Sequence, residues 1–407
     1  MLSSIATKPD RNTETRRALL DYGFRLFFLG AAAWAVVDMV LWAAFYTLHR
    51  YGILPPSFSS PMSWHAHEMI YGYGMAVVAG FLLTAVVNWT GRKTVKGVPL
   101  FLLFLAWLFA RAIPLQGGAT AFVVARCFDL VFLLSLAAVT ASPCFRGGQR
   151  INGVLILAHV SLMMVGSVLY ALGTMSVVAG ADRTGLYLGL YVLVVLTLVM
   201  GRRVIPFFIE SAAPGPLRVR NFRWVDLPAI PIVMIYVACE LIPVLRPGAP
   251  VAALLVAVVL AGRLAGWYSH ILWRRPLLWI LYLAYAWFLL GFALRGASLW
   301  LALNPFLTIH AFTAGGIGTM TLGMMARVSL GHSGRNVQDP PRSVTAVFAL
   351  ITSAAALRVL VPVFAPAYYA VSVAASQVLW IAAFLLFLVV YAPILTSQVI
   401  PRKGLLL

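Results

Sequence analysis

The sequence predicts an all-α, polytopic membrane protein of about twelve transmembrane helices. Three observations carry that prediction. Of 407 residues, 62% are hydrophobic and 10% charged, whereas a soluble domain is roughly half apolar and about a quarter charged. The apolar residues form long continuous stretches, not the ten-residue alternations of an outer-membrane barrel. The basic residues behind the net charge of +19 lie in the short stretches between apolar runs. That placement argues for loops at a membrane surface and against a nucleic-acid partner.

Each apolar run is close to the ~20 residues that cross a hydrocarbon core of about 30 Å. The predicted spans are 24–48, 64–89, 98–116, 120–141, 151–172, 184–209, 226–245, 249–271, 277–296, 306–330, 343–363 and 368–396. They form one transmembrane domain over 18–398, flanked by a polar arm at 1–17 and a tail at 399–407. Lys and Arg set the expected orientation. With the N-terminus in the cytoplasm, the clusters Arg92/Lys93/Lys96, Arg146/Arg150, Arg202/Arg203/Arg218/Arg220/Arg223, Arg274/Arg275, Arg335/Arg342 and Arg402/Lys403 are cytoplasmic. The opposite face receives isolated Arg50, Arg183, Arg246 and Arg295. An even helix count returns the C-terminus to the cytoplasm. The first residues show no small-residue cleavage site after a short apolar core, so no signal peptide is expected and the bacterial inner membrane is the expected location.

Cys127, Cys144 and Cys239 are scattered and form no CxxC or CxxCH motif. A covalent c-type haem is thereby excluded, and any haem would be held as a b-type haem is. The chain also lacks a P-loop, a dinucleotide fingerprint and a nucleophile elbow.

Ionisable residues inside a membrane are costly and mark functional sites. The foremost group is Trp64-His65-Ala66-His67-Glu68-Met69 at the outer end of the second helix. Neutral imidazole ligates haem iron and suits copper. Residues two apart on a regular helix point about 200° apart. His65 and His67 therefore serve two different centres, or the chain there is not helical and both reach one ion. His310 opens the tenth helix at the same level, in His310-Ala311-Phe312-Thr313-Ala314-Gly315-Gly316. His65, His67 and His310 could share a metal, and pairing His67 with His310 across a haem suits two parallel helices. His332 lies about 33 Å further along that helix at 1.5 Å per residue and cannot join them. It could ligate a second metal, meet a quinone or cap the helix. His270 suits a solvated helix end, His159 a satisfied bundle histidine and His49 an interfacial position.

Helices two and ten also resemble each other. His67 is followed five residues later by Gly72, and 24 and 25 later by Gly91 and Arg92; His310 is followed at the same offsets by Gly315, Gly334 and Arg335. Gly201-Arg202 ends the sixth helix in the same way. Either three related four-helix units are present, or Gly-rich membrane helices coincide by chance. Buried charges form a second layer: Asp38, Glu68, Asp129 and Glu240, with Arg25, Arg111, Arg126, Arg263 and Arg358 as partners. Arg111 and Arg126, at the histidine level, could clamp haem propionates or snorkel to the interface. Glu68, Tyr71 and Tyr73 could relay protons.

WHAHEMIYGYG, GFLLTAVVNWTGR, GRRVIPFF, RRPLLWILYLAYAW and HAFTAGGIGTMTLGMMARVSLGHSGR together resemble the NnrS family, from the first helix to the eleventh. The resemblance implies a twelve-helix inner-membrane protein with haem and copper, linked to denitrification, nitric oxide and nitrosative stress. It carries His65, His67, His310 and His332 over as site residues, with Arg203 and Arg327. Tyr282 departs from the family pattern, which has a histidine there in many members, so the ninth helix is not expected to supply a ligand. A wider architectural likeness is to the main subunit of haem-copper oxidases and nitric oxide reductases, though architecture alone does not give function. The implied reaction is nitric oxide binding or reduction, with electrons from quinol or a separate donor protein. A non-enzymatic haem or metal carrier, or transporter, relieving nitrosative stress is the alternative. A scaffold for a denitrification complex is a third reading.

Overall fold

The computed structural model describes residues 18–49 and 60–400. The expected terminal arm, most of the tail, Arg50 and the side chain of His49 lie outside the described residues. The helices are α1 (Gly23–His49), α2 (Pro61–His67, Glu68–Gly74 and Met75–Thr90 in one run), α3 (Val98–Ala112), α4 (Ala119–Arg146), α5 (Arg150–Thr174) and α6 (Ala181–Ala212). They continue as α7 (Arg223–Leu241), α8 (Ala249–Trp267), α9 (Pro276–Ala297), α10 (Pro305–His310, Ala311–Gly318 and Thr319–His332 in one run), α11 (Ser343–Phe364) and α12 (Tyr369–Thr396). Eleven are long and apolar enough to cross a membrane. The twelfth, α10, is as long, but four threonines and five glycines dilute its hydropathy. The chain is a multi-pass, all-α membrane protein, and the predicted spans coincide with these helices.

Grouped in fours as the sequence offsets suggest, α1–α4, α5–α8 and α9–α12 make similar contacts in turn. The fourth helix of each packs on the first of the next: α4 on α5, α8 on α9 and α12 back on α1, closing a ring. The second helix of each unit turns inward, so α2, α6 and α10 meet. α6 touches both of the others, and the Tyr73 hydroxyl of α2 lies 2.6 Å from the Thr321 hydroxyl of α10. This contact pattern supports related units over coincidence. At the basic-loop end, Arg203 of α6 lies over Trp89 of α2 at 5.3 Å and Arg327 of α10 lies over Phe208 of α6 at 3.7 Å. The two arginines carried over by family resemblance thus join the inner helices by cation–π contacts.

α2 and α10 start alike. Ser60 accepts from the Ser63 N–H at 3.3 Å and Asn304 from the Phe306 N–H at 2.9 Å; Pro61 and Pro305 follow, where a missing N–H costs nothing. Each helix then departs from α geometry directly after its histidine. Glu68–Gly74 and Ala311–Gly318 are π-helical, a rare form that concentrates at functional sites. Residue spacing does not reveal these π segments, although the matched glycines Gly72 and Gly315 fall inside them. A Cβ at Gly315 would sit 2.5 Å from the Trp287 ring of α9, and one at Gly72 would sit 3.0 Å from Arg111, Glu68 and Trp34.

Candidate functional site

His65 and His67 face different surroundings, as their spacing on a helix requires. His65 looks toward α1. Its Nδ1 lies 2.8 Å from Oδ2 of the buried Asp38, and its ring stacks on Trp42 at 4.8 Å with the planes 8° apart. Carboxylate and indole together fix the imidazole's position and tautomer. Among the described residues its Nε2 has no hydrogen-bond partner. His310 is prepared in a comparable way: its Nδ1 donates to the Phe306 carbonyl at 2.7 Å, and its Nε2 also has no partner among the described residues. Metal-ligating histidines commonly donate Nδ1–H to a carboxylate or carbonyl, which leaves Nε2 with its lone pair. His310 lies within electrostatic range of both His65 and Arg358.

His67 turns the other way, into a charged knot made by α2, α3, α4 and α5. Its Nδ1 lies 3.0 Å from Oε1 of Glu68 and its Nε2 3.6 Å from Oδ2 of Asp129. The Arg126 guanidinium contacts the same ring, with Tyr71 and Tyr170 stacked at 4.8 and 4.3 Å. Arg111 pairs with Glu68 at 2.5 Å and also with Asp129. Arg126 pairs with Asp129 at 2.9 Å and donates to the Ala110 carbonyl. All five side chains are buried. Two guanidinium groups meet two carboxylates, so the charges cancel, as burial in low dielectric demands.

This knot redistributes several expected roles. His65 and His310 are prepared alike, while both nitrogens of His67 face charged neighbours. Arg111 and Arg126, read as propionate clamps, already hold Glu68 and Asp129. The proton-relay trio is also divided. Glu68 is in the knot, but the Tyr71 hydroxyl donates to the Gly185 carbonyl at 2.7 Å and the Tyr73 hydroxyl meets Thr321 on α10. Tyr71 contributes its ring to His67, whereas Tyr73 ties two helices. Sequence reasoning did not single out Trp42 or Tyr170; aromatic residues abound in this chain, and only their stacking distinguishes them.

The remaining candidates lie apart. His332 packs beside Phe24 at 5.8 Å, at the far end of α10. Its neighbours Ser333 and Arg335 hold the segment after α12, through the Ile400 N–H and the Ser397 hydroxyl. Gly334 at φ +76° permits that approach, since a Cβ would sit 2.0 Å from the Ile400 carbonyl oxygen. The Tyr282 hydroxyl donates to the Leu264 carbonyl at 2.9 Å, tying α9 to α8. His270 sits edge-on to Tyr268. His159 differs from its expected satisfied state: its buried Nε2 has no partner among the described residues.

A cavity of about 220 Å³ opens beside the knot, between Ser60 and Ser63 at the start of α2, Gly118 and Phe122 of α4, and Tyr170 of α5. Arg126 lines it. The knot therefore has one member facing an accessible space, although its acids are sealed behind arginine.

Fold and site define a multi-pass membrane protein with two prepared imidazoles and a neutralised charge cluster at one end of its inner helices. The family model described as NnrS protein matches residues 18–398, nearly the whole chain, and the chain belongs to the NnrS family. Among curated proteins none matches it. Membership makes it a member of a nitric-oxide-related family of membrane proteins.

Proposed function

We propose that this chain is a haem b protein of the bacterial inner membrane, with both termini cytoplasmic, that binds nitric oxide and reduces it with electrons from quinol or a donor protein. The observation supporting a haem is the matched preparation of His65 and His310, each tethered at Nδ1 and unpartnered at Nε2. Among the described residues no group of three or more His, Cys, Asp or Glu side chains stands ready for a metal ion. One histidine is enough to hold a haem iron and leave room for a diatomic ligand, so His65 or His310 would hold the haem, a smaller demand on the protein's donors than a copper site built from protein alone. Copper, if held, takes one of these imidazoles and completes its coordination elsewhere. The bound group would supply an iron centre for a diatomic ligand.

The chain's own residues do the positioning. Asp38 and Trp42 hold His65, and the Phe306 carbonyl holds His310, so neither imidazole reorganises to accept a metal. Arg111 and Arg126 pair with Glu68 and Asp129, which offsets part of the cost of burying carboxylates away from water. Reduction of nitric oxide consumes protons as well as electrons. His67 and Glu68, 3.0 Å apart, form a pair able to hold and pass one proton, with the cavity at Arg126 as the approach from water.

Optical and EPR spectra with metal analysis test this on the purified parent, His65→Ala, His310→Ala and His67→Ala proteins. Ferrous haem b bands that collapse in at least one of the first two variants, persist in the third and shift on adding nitric oxide support the proposal. A parent that purifies colourless from haem-supplemented cells overturns it. Haem that dissociates on dilution moves the protein to the carrier reading.

A further inference from the structure

The sequence scatters four arginines over the face away from the basic loops: Arg50, Arg183, Arg246 and Arg295. The structure brings three of them together. Arg183, Arg246 and Arg295 line one cavity of about 340 Å³ formed by the facing ends of α6, α7, α9 and α10. Arg295 is matched to Glu240 at 2.5 Å and also donates to the Ser298 hydroxyl at 2.8 Å. Arg183 lies over its own neighbour Tyr187 at 5.3 Å, and neither it nor Arg246 has an acidic partner among the described residues. Three guanidinium groups against one carboxylate leave a formal wall charge of two positive units. Thr184 and Thr308 add hydroxyl donors, while Leu294 and Ile309 give an apolar floor.

We propose that this cavity is a binding site for a small soluble dianion, an oxyanion or a short dicarboxylate. Arginine presents paired N–H donors that match a carboxylate or oxyanion in two-point contact. Its volume falls within the range of small-ligand sites, about 300–1,000 Å³. The ends of four helices line the cavity, which is partly open, so a soluble ligand can reach it from water. Glu240 holds Arg295 in place and sets the charge of the wall, favouring two negative charges over one. The site lies apart from the charged knot, and Thr308 and Ile309 place it directly before His310 on α10.

The experiment is thermal unfolding of the purified full chain in a zwitterionic detergent, titrated with sodium sulfate and with sodium succinate against sodium chloride at equal ionic strength. Variants are Arg246→Gln, Arg183→Gln/Arg246→Gln and, on the opposite face, Lys93→Gln. Saturable stabilisation by either dianion is expected. Its apparent affinity should fall about tenfold for Arg246→Gln, the loss of one charge-assisted contact, and further in the double variant. Lys93→Gln should bind as the parent does. Sulfate alone, succinate alone or both acting in this pattern supports the site and fixes its ligand class. Equal stabilisation of the parent and the double variant would be a general salt effect on exposed surface and overturns the proposal. Stabilisation seen only with an anionic phospholipid added to the detergent overturns it as well. None of these readouts needs bound haem, so the result is independent of the His65/His310 reading.

Discussion

α2 and α10 share a design and carry different loads. Each begins with a capped proline, reaches a histidine in its first turns and turns π-helical for the next residues. After His67 comes Glu68, and the π segment of α2 meets Arg111 and Arg126. After His310 come Ala311 and Phe312, and the π segment of α10 packs on the aromatic rings of α9, with Phe292 4.6 Å from Phe312. One backbone irregularity thus supports a polar knot in one unit and an apolar seam in another. The histidine that matches His310 in preparation is His65, two residues before the position that matches it in sequence. Repeated backbone geometry does not by itself repeat chemistry; the adjoining side chains decide which nitrogen stays open.

This contrast can be broken at several points, and the largest effect belongs to the knot. Arg111→Ala leaves Glu68 and Asp129 short of a buried partner and should cost about 3–5 kcal/mol, read as a steep fall in thermal unfolding temperature and in folded yield. An Arg111→Ala protein as stable as the parent would mean that the pairing adds nothing to the fold. His67→Ala follows, at about 1–3 kcal/mol, because Glu68 and Arg126 each lose a polar neighbour. His310→Ala should lower stability by no more than ~1 kcal/mol, since it strands only the Phe306 carbonyl near the helix start. If the two histidine variants unfold together, the division between a structural and an open histidine fails.

The glycines sharpen the comparison. Gly315→Ala drives a Cβ into the rigid Trp287 ring and should cost about 1–3 kcal/mol by overpacking. Gly72→Ala meets Arg111, Glu68 and Trp34 at 3.0 Å, a looser approach than the 2.5 Å at Gly315, so its loss should be the smaller of the two; denaturation midpoints of both variants decide this. Tyr73→Phe removes only the bond to Thr321 and should cost about 0.5–1.5 kcal/mol. A larger loss would show that the hydroxyl does more than tie α2 to α10.

Much of this was legible in the residues. Eleven of the described helices followed from run length and apolarity, because a bilayer sets a minimum apolar length for every span. The opposite facing of His65 and His67 followed from helix pitch. The offsets from His67 and His310 to their glycines foreshadowed the three-unit ring. What periodicity could not supply was the identity of partners across helices. Asp38 lies 27 residues from His65, and Asp129 lies 61 from Glu68; no local rule connects either pair. The π segments were hidden as well, since a π turn and an α turn are built from the same small and apolar residues.

The sequence by itself determined the class of protein, the approximate course of its helices and the loops that carry its basic clusters. These are one-dimensional consequences of hydrophobicity, helix rise and charge placement. Only the tertiary structure decided that Arg111 and Arg126 are spent on Glu68 and Asp129, that His65 and His310 keep Nε2 open, and that three scattered arginines share one cavity. Those outcomes depend on which helices become neighbours. The closed ring of three units sets that, through packing of surfaces far apart in the chain.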